Sequence, residues 1–226
     1  MPALLRDAVA LLRDTWTFFR AHLRWLLLFL AALVVLALVM VPHDAEWLAW
    51  LTGAQTDRGL AAARSLTLWG DYHTGSLLLA ASVLVVGLVL RRPALRRAAL
   101  ASILAASLAG LTANVFRGLL GRPRPIASVP DGLYGPTFQF RLQGSPSAHA
   151  ATSVGSAAAL VVTVPIVGVP ALVAACGVVW SRLYLRHHHP TDVAIGGSLG
   201  VLFGVVLGLA ARRRRDDAPA ASPESP

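Results

Sequence analysis

Long apolar runs alternate with short polar links along the chain. A helix crossing a bilayer needs about 20 mostly apolar residues. Six runs approach that length: 25–41, 75–90, 98–116, 148–164, 167–185 and 193–211. The link between the fourth and fifth, VPIVGVP, is itself apolar. Pro165, Gly168 and Pro170 are expected to break a continuous helix there, because proline lacks an N–H and crowds the preceding turn. Ahead of the first run, Leu5, Val9, Leu12, Trp16 and Phe19 recur every three or four residues, the spacing of one helical face. This predicts an amphipathic helix within residues 1–24, lying on the inner membrane surface or packed on the bundle. The segment around 44–63 is weakly amphipathic and predicts a short surface helix. The stretch 212–226 reads as a cytoplasmic tail, polar, Pro-rich and disordered. No internal repeat is visible. The predicted fold class is all-α: a polytopic membrane protein whose residues 25–211 form six transmembrane helices.

Composition agrees with the pattern. Of 226 residues, 56% are hydrophobic and 14% charged, against about 25% charged in soluble domains. The single cysteine, Cys176, lies in an apolar run; it cannot form an intrachain disulfide and fits no zinc spacing. The formal net charge is +9, and all 20 cationic residues are arginine. Such a basic chain raises the question of nucleic acid, but the arginines flank apolar spans, so they set orientation instead. Arg6, Arg13, Arg20 and Arg24 precede the first span, Arg91, Arg92, Arg96 and Arg97 fill the link after the second, and Arg212 to Arg215 follow the sixth. With six spans these groups share one side, the cytoplasm of a bacterial cell membrane, with both termini. The first twenty residues hold Arg6, Asp7, Arg13 and Asp14 and do not resemble a signal peptide. The links 42–74, 117–147 and 186–192 then face outward. The second of these also carries arginines, an excess that needs another cause.

Polar groups at membrane depth or at span ends are costly, which makes them functional candidates. They gather at three outward ends. RGLLGRPRP, from Arg117 to Pro125, holds three arginines with no neighbouring acid; a guanidinium fork fits phosphate oxygens. GSPSAHA, from Gly144 to Ala150, places Ser145 or Ser147 at a helix N-terminus, where N–H groups favour an anion, with His149 in the first turn. SRLYLRHHHPTD, from Ser181 to Asp192, carries three consecutive histidines and the only acid between Asp131 and the tail. A carboxylate near an imidazole fixes its tautomer and favours its cation. A three-histidine zinc site is disfavoured, because adjacent side chains diverge.

These stretches, in this order, resemble the type 2 phosphatidic acid phosphatase family, related to the vanadium haloperoxidases. That pattern is Lys or Arg, six residues, Arg-Pro; then Pro-Ser-Gly-His; then Ser-Arg, five residues, His, three residues, Asp. The chain reads Arg117, six residues, Arg124-Pro125; Pro146-Ser147-Ala148-His149; and Ser181-Arg182, LYLRH, His188, HPT, Asp192. It departs by Arg117 for the frequent Lys and Ala148 for the usual Gly. Ala148 carries strain if that position needs φ > 0 and none if it opens a helix.

The resemblance implies a metal-free, cofactor-free phosphomonoesterase with its active site at the outer face. His188 is the implied nucleophile, forming a phosphohistidine, and Asp192 the group that holds its ring. His149 is the implied acid and base. Arg117, Arg124, Arg182 and Ser147 are the implied phosphate ligands, which explains the outward arginines. Arg122, Arg141 and Arg186 fall outside the pattern and are read as snorkelling. The expected substrate is a lipid phosphate of phosphatidic acid, phosphatidylglycerol phosphate or polyprenyl pyrophosphate type, and the expected partners are membrane lipids. The 125–145 link, with Tyr134, Phe138 and Phe140, is the candidate headgroup reader and lid. A phosphotransferase would use the same residues. An anion transporter would need mid-span charge, for which Asn114 is the nearest polar candidate, and a degenerate structural protein would lack a reacting group.

Overall fold

A computed structural model describes residues 3–216. They form nine α-helices and no strand among the described residues: α1 (Ala3–Ala21), α2 (Leu23–Met40), α3 (Asp44–Thr52), α4 (Asp57–Trp69), α5 (Leu78–Val89), α6 (Pro93–Leu120), α7 (Ala148–Thr163), α8 (Pro165–Tyr184) and α9 (Pro190–Asp216). A π-helical turn, Tyr72–Leu77, leads into α5. The chain is an integral membrane protein of all-helical architecture. Five helical stretches have the length and apolarity to cross a bilayer: Leu23–Thr52, Tyr72–Val89, Pro93–Ala127, Pro165–Tyr184 and Pro190–Arg212.

The remaining apolar run, the fourth, is α7, with 16 residues. At 1.5 Å per residue it is about 24 Å long, short of the roughly 30 Å hydrocarbon layer. It needs no lipid-facing surface of its own. Every residue from Ala150 to Leu160 is buried, and α6, α8 and α9 pack around it. A helix apolar on all sides belongs inside. Lipid tails are as apolar as leucine, so the bundle is held by close backbone approach instead. On α9, Gly196, Gly200, Gly204 and Gly208 recur every fourth residue. A Cβ added at Gly200 would stand 2.7 Å from the Ala151 carbonyl oxygen and 2.8 Å from the Gly155 nitrogen, so glycine is what lets α9 lie against α7.

The break between α7 and α8 is narrower than the prolines suggest. Val164 alone is non-helical; Pro165 opens α8, and the helix runs through Gly168 and Pro170. A proline at the first helical position forfeits no hydrogen bond. α1 packs Leu11 into a cluster with Ala101, Ala105, Ala159 and Leu207, while Leu5, Val9, Leu12 and Trp16 are exposed on another face. The expected surface helix within 44–63 is two helices, α3 and α4, and α4 packs along α8. α9 runs on past the expected boundary at 211 to Asp216; the remainder of the predicted disordered tail, 217–226, lies outside the described residues.

Candidate active site

Three local devices bring the polar stretches to one end of the bundle. α6 stops at Gly121, whose φ of 65° is left-handed and whose N–H caps the Arg117 carbonyl at 3.2 Å; glycine takes that conformation at little cost. The chain then turns, placing Arg122 and Arg124 under the 125–145 link. Ser147 caps α7, its hydroxyl accepting from the Ala150 N–H at 3.4 Å. Ala148 is the first helical residue and carries no positive φ, so it costs nothing there. Pro190 opens α9, and the backbone N–H of Ser147 donates to the Asp192 carbonyl at 2.9 Å, locking α7 to α9 at the site.

Arg117, Arg124 and Arg182 stand close enough that their charges repel one another. Among the described residues, none pairs with a carboxylate. Arg124 and Arg182 are buried. Arg124 donates from Nε to the Phe140 carbonyl at 2.9 Å and lies 3.9 Å above the Phe140 ring centroid. Arg182 donates to the Thr67 hydroxyl, and its Nε is buried without a partner. Buried donors left unpaired are costly, and three like charges around one point call for an anion between them. His149, at the start of α7, feels all three guanidiniums and, with opposite sign, the carboxylate of Asp71.

His188 is buried, with 1% of its surface exposed. Its Nδ1 lies 2.7 Å from the Gly144 carbonyl oxygen. A carbonyl only accepts, so Nδ1 carries the proton and Nε2 the free lone pair. Burial, followed by Arg124 and Arg182, pushes His188 well below the ordinary imidazole range, keeping that lone pair available at neutral pH. Asp192 was expected to hold this ring. Its Oδ2 is instead 3.8 Å from His188 Nδ1, beyond hydrogen-bond reach, and accepts from the His189 backbone N–H at 2.8 Å. The Gly144 carbonyl holds the ring, and Asp192 supplies a nearby negative charge. His187 and His189 are partly buried, each with an unpartnered Nδ1. Among the described residues no three His, Cys, Asp or Glu side chains gather as a metal would require.

Arg122 does not snorkel. It is 4% exposed and donates to three carboxylates: Asp192 at 2.9 Å, Asp44 at 2.9 Å and Asp131 at 3.1 and 2.9 Å. Asp44, also buried, accepts from the Thr191 N–H at 2.8 Å. The first turn of α3 is thereby tied to the first turn of α9. This hub was missed because Asp44 and Asp192 lie 78 and 70 positions from Arg122. The one local signal was Asp131, nine residues on. Arg141 is exposed and donates from Nε to Gln139 at 3.2 Å. The 125–145 link is fastened rather than free: Tyr134 N–H to Gly121 O at 3.3 Å, Arg124 N–H to Arg141 O at 2.9 Å and Gly144 N–H to Arg122 O at 2.8 Å.

This geometry can be set beside known proteins. Residues 97–216 match the PAP2 superfamily, more than half the chain and all three motif stretches. The chain belongs to the PAP2 superfamily. A relative in Mycolicibacterium smegmatis, a decaprenylphosphoryl-5-phosphoribose phosphatase, is 39% identical over 137 residues, spanning 61% of this chain and 71% of the relative. No solved structure matches. As a PAP2 protein the chain is a phosphoric monoester hydrolase of the lipid phosphatase type. Its Asp44, Thr67 and Asp71 lie ahead of the matched residues, so part of the site is built by α3, α4 and the turn before α5.

Proposed function

We propose that this protein hydrolyses a phosphomonoester on a membrane lipid, without a metal, through a phosphohistidine at His188. The observation that carries the proposal is the convergence of three carboxylate-free guanidiniums with two imidazoles, one of which has its Nε2 lone pair set free by the Gly144 carbonyl. Arg117, Arg124 and Arg182, with the N–H groups behind Ser147, hold the phosphoryl oxygens. His188 Nε2 forms a bond to phosphorus as the ester oxygen leaves and takes a proton from His149. A water then loses its proton to His149 and attacks phosphorus, and the P–N bond breaks. The phosphate dianion favours the protonated His149, which burial and then the arginines oppose. Phosphoryl transfer is mostly positioning and charge stabilisation, which three arginines supply. Asp192 offsets the imidazolium charge of His188 at a distance.

A lipid substrate is supported by an open apolar groove of about 620 Å³ between α4, α5, α7 and α8, with Trp69 and Ser153 on its wall; Ser153 lies one turn below His149 and donates to its carbonyl. The relative's name describes a prenyl lipid bearing a phosphorylated sugar, so a prenyl-linked sugar phosphate joins phosphatidic acid, phosphatidylglycerol phosphate and polyprenyl pyrophosphate as substrates for trial. Arginine placement supports a site on the outer face and both termini in the cytoplasm. The test is phosphate release by the purified protein in detergent, in excess EDTA, across a panel of lipid mono- and pyrophosphates. Release from at least one lipid is expected to persist. Complete loss on chelation overturns the metal-free mechanism.

A further inference from the structure

A cavity of about 400 Å³ opens beside the phosphate cluster, with Gln55, Arg64, Thr67, Arg186 and His187 in its walls. It shares two walls with the cluster. The Thr67 hydroxyl accepts from Arg182, and the His187 carbonyl lies 3.4 Å from the Arg124 donor. Arg64, on α4, and Arg186, after α8, stand in different walls of the concavity. Among the described residues, no acid lines it and neither arginine has a carboxylate partner. His187 contributes a buried Nδ1 without a hydrogen bond. Arg186 is held at φ 55°, a conformation that costs a non-glycine residue about 1 kcal/mol or more and persists where surroundings impose it. Here its carbonyl accepts from the Ile126 N–H at 3.1 Å, which pins the residue at the cavity mouth. Arginines that merely snorkel need neither a concave wall nor a neighbouring unpaired imidazole.

We propose that this cavity is a second anion subsite, which takes a second phosphoryl group of the substrate lipid. It rests on reading Arg117, Arg124 and Arg182 as the site of the phosphate that is hydrolysed. The substrate class is thereby narrowed to lipids carrying two phosphoryl groups: a terminal one for the catalytic cluster and an inner, ester-linked one for Arg64 and Arg186. A glycerolipid with one phosphate leaves the second subsite empty.

The experiment compares the full-length protein with the separate variants Arg64→Gln and Arg186→Asn on two short-chain substrates. One is dioctanoyl phosphatidic acid, with one phosphoryl group, and the other farnesyl pyrophosphate, with two. A charge-assisted hydrogen bond supports roughly tenfold discrimination. The ratio of kcat/KM for farnesyl pyrophosphate over phosphatidic acid is expected to fall about tenfold in each variant, through KM. An unchanged ratio, with activity lost equally on both substrates or on neither, overturns the subsite while leaving the phosphatase reading standing. Wild-type protein active on phosphatidic acid but not on farnesyl pyrophosphate overturns the subsite and leaves the reading standing; inactivity on every lipid phosphate of the panel overturns both. A second measurement needs no variant: inorganic pyrophosphate is expected to inhibit the wild-type enzyme competitively at concentrations about tenfold below inorganic phosphate. Equal inhibition constants overturn the proposal.

Discussion

Replacing Arg122 by alanine should unfold the site from beneath. Arg122 is the counter-charge of Asp44 and Asp192, which are 1% and 0% exposed. Its removal leaves both carboxylates buried without their ion pair. Breaking a buried pair by removing one partner costs about 3–5 kcal/mol, a large share of the 5–15 kcal/mol typical of a whole domain. At about 2–4 °C per kcal/mol for a chain of this size, the thermal midpoint should fall by roughly 6–20 °C. Lysine should recover only part, since one ammonium cannot reproduce a fork that serves Asp131 from Nε and one terminal nitrogen while reaching Asp192 from the other. Asp131 has a half-exposed side chain, so Asp131→Asn should cost under about 1 kcal/mol. The assay is thermal unfolding in detergent of Arg122→Ala, Asp44→Asn and the double variant. Because the residues touch, the double variant should lose less than the sum of the singles. A midpoint for Arg122→Ala within 2 °C of wild type, by the roughly 2–4 °C scale above, or strict additivity in the double variant, would refute the hub.

Three further outcomes are expected. Arg124→Lys and Arg182→Lys keep charge but lose the planar fork, and each should lower kcat/KM roughly 10- to 100-fold; wild-type values in both would remove these arginines from the phosphate site. Gly200→Ala drives a Cβ against the α7 backbone and should cost about 1–3 kcal/mol, read as a lower thermal midpoint; an unchanged midpoint means the helices are not in that contact. His187 is held down at about 4 by burial, then by Arg182 and Arg124, so the unfolded chain, near 6.5, takes up the proton first. Stability should therefore fall as pH drops from about 6.5 towards 4, and His187→Gln should make the decline shallower; an identical slope in wild type and variant contradicts it.

The spans were legible because burial in lipid demands long apolar runs; the bounds of α2, α5 and α8 lie within three residues of those runs, while α6 and α9 extend past them at both ends. The bounds of α7 were legible too, the run 148–164 against a helix of Ala148–Thr163, while its central place was not. That place depends on the glycine column of α9, a packing signal that hydropathy does not weigh. The motif stretches were legible as a local pattern of Arg, Ser, His and Asp at fixed spacing. Counting from Arg182 and Asp192 singles out His188 among three histidines, yet it is blind to the carbonyl that holds the ring. A backbone oxygen at Gly144 has no residue-type signature. The family resemblance paired Asp192 with His188; the fold keeps the two 3.8 Å apart and gives the hydrogen bonds of that carboxylate to Arg122 and the His189 N–H. Arg122 looked like a headgroup anchor because two of its three partners come from distant turns. Only tertiary structure places Asp44, ahead of the family-matched residues, under the first turn of α9.

The central claim is that His188 attacks phosphorus, and it can be read directly on the protein. His149→Ala should slow the hydrolytic half of the reaction more than the attack by His188 when the leaving group is a good one. With that variant and an activated phosphomonoester such as a nitrophenyl phosphate, rapid quenching under alkaline conditions and peptide mapping should place an acid-labile phosphoryl group on His188. The same experiment in a His149→Ala, His188→Ala background should find none. Phosphate mapped to His187 or His189, or turnover that persists when His188 is replaced, would contradict the account.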